Sequence, residues 1–481
     1  MDRKIAKNYI YNTLYQVLSI IAPLITAPYV SRVLHSDGVG LYSYTNTIAV
    51  VFSLFAGLGF SAYGQREIAY NQENKYTRSK IFYEITIFKA FLAVITTLVY
   101  VIFAIIYQQY TRFLLPQAIL LIASVFEMSW YFQGLEDFRI IVTRNAVVKV
   151  FVIAFTFLLI KTENDVDKYI IIHALSPFIS NILYCVVIKK YVEKVKISEL
   201  HPLKHLKGSI EFFLPLIAVQ IYSYVDKLML GMYMPTTEEN GYYEQARKIT
   251  SIVVAVIVSL NTVMMSRIAH LFAHDEKEKI KTYYQKSFSI IIMLLLPICS
   301  GLILISDNFV NWYFGSDFEK VAILLKLSSL LIVFMCIGNF IGIQYLGPTG
   351  LQNRMTIAYV IASVCNVVLN VILIPRFFSI GALIASIIAE GVSCAIQGWY
   401  MIKGNYRFTL PKDIIKYLVG TCIMVVAITI VHCVFSINGA LSTLIDISVG
   451  GLTYIVILLV LKESNIYSVI NNMKKKRITK I

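Results

Sequence analysis

The chain has 481 residues, of which 58% are hydrophobic and 15% charged, with a mean hydropathy of +0.70. Soluble domains carry about 25% charged residues, so this composition excludes an ordinary soluble globular protein and points to a membrane protein. The net charge of +15 does not indicate nucleic acid, because Lys and Arg fall in short segments between apolar runs, as in membrane proteins whose basic loops meet lipid headgroups.

The N-terminus, MDRKIAKNYIYNTLYQVLSIIAPLITAPYV, is basic and then apolar. It is too long for a signal-peptide core and has no small-residue cleavage site, so it reads as a retained first span. A span needs about 20 apolar residues. About fourteen such runs follow one another, at 8–30, 39–64, 81–107, 113–132, 140–160, 169–188, 210–234, 241–266, 287–305, 319–346, 355–375, 378–402, 414–434 and 441–461. Their length and their lack of strict alternation favour helices over barrel strands, so the expected fold is an all-α polytopic membrane protein. Segments 1–7, 65–80, 133–139, 189–208, 267–286, 347–354, 403–413 and 462–481 hold about thirty Lys and Arg, and the intervening loops hold about six. This asymmetry places both termini in the cytoplasm.

The outside loops are too short to house a catalytic domain, and no Gly-rich P-loop is present, which argues against ATP as the energy source. A secondary transporter, a channel or an intramembrane enzyme remains. The seven cysteines all lie inside apolar runs without C-x-x-C spacing, which fits core filling better than a disulfide framework or a zinc site. His201 with His205 and His270 with His274 have helical i, i+4 spacing. Both pairs fall in basic loops without nearby Cys and read as solvated histidines, with no metal implied.

A faint internal repeat relates YVSRVLHSDGVGLYSYTNTI, starting at Tyr29, to YVDKLMLGMYMPTTEENGYYEQARKI, starting at Tyr224. Both place a basic residue, Arg32 or Lys227, at the fourth position, and both reach Gly-x-Tyr or Gly-Tyr-Tyr as the next span begins. An odd-numbered span matched to an odd-numbered span implies a parallel repeat about the membrane normal. The expected division is an N-lobe of six helices over 1–190, a basic linker over 191–208, a C-lobe of six helices over 209–404, and two further helices with a basic tail over 405–481.

Ionisable residues well inside the runs are the candidates for function. The basic ones are Arg144, Lys149, Lys227, Arg247, Lys248, Lys326 and Lys89, with Arg32 at a span end; the acidic ones are Glu84, Glu127, Asp226, Glu244 and Glu390. Each would cost about 2.5–3.5 kcal/mol facing lipid at the bilayer centre, so together they must face protein or a watered cavity. Glu84 and Lys89 have the spacing to pair across helix turns, and Asp226 to pair with a cation on a neighbouring helix. The excess of basic groups, drawn from both lobes, suits an anionic ligand, whereas a pocket for cationic drugs calls for carboxylates and aromatics.

Several stretches resemble one family. PYVSRVLHSDGVGLYSY resembles the first span and loop of bacterial polysaccharide flippases; WYFQGLEDFRIIVTRNAVVKV, from Trp130 to Val150, resembles their fourth loop and fifth span; YSYVDKLMLG resembles their seventh; and VCNVVLNVILIPRFFSIGALIASIIAE, from Val364 to Glu390, resembles their eleventh and twelfth. The family is that of Wzx-type flippases within the multidrug/oligosaccharidyl-lipid/polysaccharide exporter superfamily, and the resemblance covers almost the whole chain. It implies two lobes around a central cavity in the cytoplasmic membrane of a bacterium, and movement of an undecaprenyl-pyrophosphate-linked oligosaccharide to the outer leaflet for capsule or O-antigen synthesis. It also implies membrane lipids as partners, with a polymerase and chain-length machinery beside them, and an activity that is not enzymatic. On that reading Arg32, Arg144, Lys149, Lys227, Arg247, Lys248 and Lys326 meet phosphate or sugar. Tyr222, Tyr224, Asn366 and Asn370 are available to sugars, though ordinary helix packing explains them as well. Glu127, Asp226 and Glu390 would titrate or bind a coupling ion, H+ or Na+, with no other cofactor. A cation or drug antiporter and a peptidoglycan lipid II flippase of the same fold remain the alternatives.

Overall fold

The computed structural model describes residues 3–274, 276–404, 411–435 and 438–467, with side chains from Leu18 onward apart from scattered positions in 215–222 and 260–277. Among these residues every regular element is helical. Ten stretches are long and apolar enough to cross a membrane, and two of them, Leu18–Tyr70 and Gln352–Lys403, exceed 50 residues. The protein is thus an all-α, multi-pass membrane protein.

The two longest helices cannot be single rods. Helix α1 (Arg3–Gly57) would measure about 80 Å if straight, against a hydrocarbon core of about 30 Å. It breaks at His35, whose φ of 57° and ψ of −178° leave the helical region. Tyr29, before the break, lies on Phe157, while Phe55, after it, lies on Phe213 of another helix. The 52-residue helix at Gln352–Lys403 breaks in the same way at Phe378, with φ of 56°. Its two arms fold back on each other: the Arg354 guanidinium sits 5.1 Å from the centre of the Tyr400 ring, and a Cβ on Gly381 would lie 2.4 Å from the Leu373 carbonyl oxygen. Each long helix therefore supplies two passes. With helices Leu206–Tyr233 and Glu238–Ala273, the fourteen passes expected from the apolar runs are present.

The chain divides into two compact units, Met1–Glu244 and Gln245–Ile481. In the first, α1 is followed by α2 (Phe60–Tyr70), α3 (Lys75–Ile106), α4 (Thr111–Leu114), α5 (Ala118–Val125), α6 (Ser129–Gly134), α7 (Phe138–Leu159), α8 (Val166–Ile188), α9 (Leu206–Tyr233) and the start of α10 (Glu238–Ala273). Contacts between successive passes centre on the turn that joins them, as antiparallel hairpins require. Tyr100 Oη donates to the Leu114 carbonyl and Lys89 Nζ to that of Glu127, both centred near 107–108. Arg144 reaches Ser180 and Asn181, centred near 162. The Asn74 side chain caps α3 by accepting from Thr77 N at 3.0 Å, a usual stabiliser of a helix start.

The division into units falls inside α10, beyond the basic segment 191–208. That segment folds back onto the first unit, where the backbone N–H of His201 donates to Glu84 Oε1 at 2.8 Å.

The second unit comprises the rest of α10, α11 (Lys277–Phe314), α12 (Lys320–Phe340), α13 (Gln352–Lys403), α14 (Ile414–Val434) and α15 (Ala440–Val460). Helix α12 runs into a π-helical turn at Ile341–Leu346. The last two helices form a hairpin, joined by the Tyr417–Glu463 and His432–Asp446 contacts. They dock on α11, where Tyr454 Oη donates to the Met293 carbonyl at 2.7 Å.

Candidate functional site

The repeat seen in the sequence has a physical counterpart within the first unit. Gly40 starts the second pass and Gly241 the eighth, and they are the glycines of the matched Gly-x-Tyr and Gly-Tyr-Tyr stretches. Their backbones touch. A Cβ on Gly40 would fall 1.7 Å from the Thr237 carbonyl oxygen, and one on Gly241 would fall 2.1 Å from that of Ser36. Each glycine thus strikes the carbonyl four residues before its counterpart, the reciprocity expected of two elements related by a two-fold axis. Only glycine permits this approach. Thr237 seals the contact by donating to Asp37 Oδ1 from its backbone N–H (3.1 Å) and from Oγ1 (2.7 Å).

One helical turn deeper lies a charged junction of three passes. Lys227 Nζ on α9 donates to Glu244 Oε2 on α10 at 2.5 Å, and Ser43 Oγ on the second arm of α1 donates to the same oxygen at 2.8 Å. Asn240 Nδ2 donates to the Lys227 carbonyl at 2.7 Å. The two charged side chains are 18% and 12% exposed. At this burial, removing one partner of such a pair leaves an uncompensated charge and costs about 3–5 kcal/mol. Asp226 does not join its neighbour Lys227: consecutive helical residues point about 100° apart, and Asp226 accepts from Tyr243 Oη instead. The charges of the YSYVDKLMLG stretch are thus held by separate partners on α10.

The other candidates of the first unit are dispersed, and Glu84, Lys89 and Glu127 among them are each held by specific partners. Lys89 is buried and donates to the Glu127 carbonyl at 2.7 Å and to Glu127 Oε2 at 3.3 Å. The Glu127 carboxylate also accepts from Ser61 Oγ at 2.9 Å, from the Ser129 N–H and from the Ser129 hydroxyl. Lys89 is therefore not the partner of Glu84, as helical spacing suggests. Glu84 instead takes His205 Nε2 at 2.8 Å and Lys204 Nζ at 3.7 Å. His205 is correspondingly not a solvated loop histidine: it is fully buried, with Nδ1 2.8 Å from Tyr63 Oη. Burial holds its pKa below the ordinary imidazole value, against the opposing pull of the Glu84 carboxylate. Arg144 is fixed by Asn145, Asn181 and the Ser180 carbonyl, and its guanidinium lies 3.7 Å over the Tyr184 ring. Lys149 is half-buried one turn further along α7, and Arg32 is exposed on α1.

In the second unit, Arg247 and Lys248 are half-buried on α10 and Glu390 is half-buried on α13. Lys326 Nζ reaches Asp307 Oδ1 and Oδ2 at 2.8 and 2.6 Å. Asn366 and Asn370 are fully buried and bonded to one another at 3.1 Å. Tyr224 is half-buried on α9, while the side chains of Tyr222 and His270 lie outside the described residues. No cluster of three or more His, Cys, Asp or Glu able to hold a metal ion occurs among the described residues.

Sequence reasoning underrated Ser43, Tyr243 and His205, which are neutral or lie in a segment read as a loop. Reciprocal glycines were the available signal for the first two. The WYFQGLE stretch, among the most specific of the resemblance, is a packing node. Trp130, Tyr131 and Phe132 are all fully buried, Trp130 Nε1 donates to the Glu127 carbonyl, and Tyr131 Oη to that of Tyr191.

The all-helical, multi-pass architecture with a reciprocal repeat contact is that of a polytopic membrane protein, and the relatives below are transporters and flippases. The chain belongs to the polysaccharide biosynthesis protein family, whose model matches residues 5–272, and the MatE family model matches 212–372. A Shigella dysenteriae protein that bears the name of an O-antigen transporter is 22% identical over 80% of this chain and 96% of its own length. The lipid II flippase MurJ of Bacillus subtilis is 22% identical over 50% of this chain and 48% of its own. A solved structure of lipid II flippase MurJ in an inward closed conformation superposes with a TM-score of 0.73, at 16% identity, over 94% of this chain and all of that one. An inward-facing MATE family transporter of the MOP superfamily gives 0.62 at 14% identity, over 82% and 96%. The resemblance to Wzx-type flippases of the exporter superfamily therefore stands, and the fold is that of the superfamily.

Proposed function

We propose that the protein moves undecaprenyl-pyrophosphate-linked oligosaccharide repeat units from the cytoplasmic to the outer leaflet of a bacterial cytoplasmic membrane by alternating access, with both termini in the cytoplasm. The observation that carries the reading is the Lys227–Glu244–Ser43 junction, a half-buried cation held by a carboxylate where passes from both repeats meet. Family membership and the names of the relatives support the same class of cargo. A diphosphate is a stronger anion than a carboxylate and takes several donors at once. On this reading the diphosphate competes with Glu244 for Lys227, and the junction loosens.

Coupling to H+ or Na+ belongs to the same proposal, with Glu127, Asp226 and Glu390 as the titrating or ion-binding groups. Transport in proteoliposomes that ignores both gradients removes it. The test of the main reading is Lys227→Ala in a strain that depends on this protein for surface polysaccharide. Polymer is expected to be lost at unchanged protein abundance. Normal polymer from Lys227→Ala overturns the phosphate role. Rescue of a strain lacking its lipid II flippase, without effect on polymer, assigns peptidoglycan precursor instead.

A further inference from the structure

The two arms of α13 end side by side, at the basic segments 347–354 and 403–413. Four side chains stand in a row there. The Arg354 guanidinium, from the first arm, lies 5.1 Å from the centre of the Tyr400 ring on the second. The Tyr400 and Trp399 rings are 4.8 Å apart, and Lys403 Nζ lies 5.1 Å from the Trp399 ring. A cation over an aromatic face is attracted by the ring quadrupole, which fixes its place without neutralising its charge.

Neither cation is spent. Arg354 makes one long contact, from Nη1 to Tyr400 Oη at 3.5 Å, and its other N–H groups stay open. Neither Arg354 nor Lys403 has an ion pair among the described residues, and both are exposed. Glu390 is the one carboxylate of α13, about 15 Å along the helix from Tyr400. Asp413, in the following segment, already accepts from Lys416 Nζ at 2.7 Å and from the Ser464 N–H at 3.0 Å.

The platform is rigid. A Cβ on Gly404 would fall 1.8 Å from Tyr345 Oη, so the end of α13 is pressed onto the π-helical turn at Ile341–Leu346. The Leu351 N–H donates to the Leu346 carbonyl at 2.9 Å, which ties the start of the first arm to the same turn. Lipid begins directly beside it. Ile357, Val360, Ile361 and Val364 on the first arm and Ile402 on the second are exposed aliphatic side chains, and Trp399 is 54% exposed. An exposed Trp at the end of a membrane pass marks the headgroup level. A soluble anion would have no use for that apolar flank, whereas a lipid brings both a phosphate and chains to lie along it.

We infer that this row binds the headgroup of an anionic phospholipid in the leaflet on the side of these basic segments. The phosphate takes the open edge of the Arg354 guanidinium and the Lys403 ammonium, and the acyl chains run along the exposed aliphatic side chains of α13. Because Arg354 and Lys403 belong to different arms, the headgroup ties the arms together at the end away from the break at Phe378. The site concerns a resident lipid and does not depend on what the protein transports.

The experiment uses the full chain in nanodiscs of phosphatidylcholine mixed with phosphatidylglycerol, with retained lipid counted by native mass spectrometry. Arg354→Gln and Lys403→Gln, both exposed changes, are each expected to weaken phosphatidylglycerol retention about fivefold, and together about thirtyfold. Arg354→Lys, which keeps the charge, should retain most of it. Lys190→Gln removes an exposed lysine from the basic segment 189–208 and should leave retention unchanged. Phosphatidylglycerol should also raise the melting temperature of the unaltered chain and not that of the double variant. Equal retention of the two phospholipids by the unaltered chain overturns the proposal, as does undiminished retention by the double variant. A loss in Lys190→Gln as large as in Arg354→Gln overturns it too, by making the attraction diffuse. Displacement of phosphatidylglycerol by an equal amount of polyprenyl diphosphate refutes the phospholipid assignment and gives the row to a carrier lipid.

Discussion

Replacing Gly40 with Ala tests the reciprocal contact directly. The new methyl carbon would lie 1.7 Å from the Thr237 carbonyl oxygen and 2.6 Å from its carbon. A C···O approach of about 3.3 Å is the closest comfortable one, so the second arm of α1 and the start of α10 must separate by roughly 1.5 Å. That shift carries the Thr237–Asp37 hydrogen bonds, now 2.7–3.1 Å, beyond bonding range. Losing these bonds and relieving the overlap costs about 2–4 kcal/mol, equivalent to an equilibrium shift of roughly 30- to 1,000-fold away from the closed contact. The assay is maleimide labelling of Ser36→Cys, read at that peptide by mass spectrometry, because Ser36 is 3% exposed. Labelling should accelerate at least tenfold in Gly40→Ala. Gly301→Ala is the control: nothing lies within 4 Å of its new Cβ, and labelling and thermal stability should hold or improve. Equal labelling in Gly40→Ala and the control would show that the two backbones do not meet as described.

Glu127→Gln should lower apparent stability by about 3 kcal/mol, since it leaves the buried Lys89 charge unmatched, and Lys89→Met should cost less, since Glu127 is 26% exposed. The Lys89→Met/Glu127→Met pair should cost less than the sum of its singles in thermal melts, and strict additivity would dissolve the pair. At His205 the folded pKa is depressed, so the unfolded chain takes up the proton first on acidification. Its contribution is fully present above about pH 6.5 and is lost as pH falls from there through the folded value. His205→Gln should flatten the fall in melting temperature between pH 7 and 5, and an unchanged slope would place the sensitivity elsewhere. Lys227→Met should restore part of the stability lost in Glu244→Gln, and a double mutant worse than both singles would contradict the pairing.

The passes, their number and the hairpin order were legible in the sequence because twenty-residue apolar runs and alternating basic loops are dictated by the bilayer itself. The repeat was legible because close backbone approach tolerates only glycine, which left Gly40 and Gly241 in matching places. The pairing of charges was not. Lys89 finds Glu127 from 38 positions away and Glu84 finds His205 from 121 positions away, and helical spacing carries no information at that range. The breaks of the two long helices were legible as gaps between runs, at 31–38 and 376–377, but the residues that turn the chain, His35 and Phe378, were not. Positive φ is uncommon outside glycine, less so for His than for Phe, and neither His35 nor Phe378 announces it in the sequence. Lys227 and Asp226 are adjacent in the sequence, and the helical twist sends them to different neighbours, Glu244 and Tyr243.

Because a single residue turns α1 and another turns α13, those corners have no slack. An epitope tag or an added codon near position 35 or 378 would rotate one entire pass about its axis and carry its lipid-facing side chains inward. Length variation among related proteins should therefore gather at connections such as 107–112 and 189–205, and stay away from these two corners.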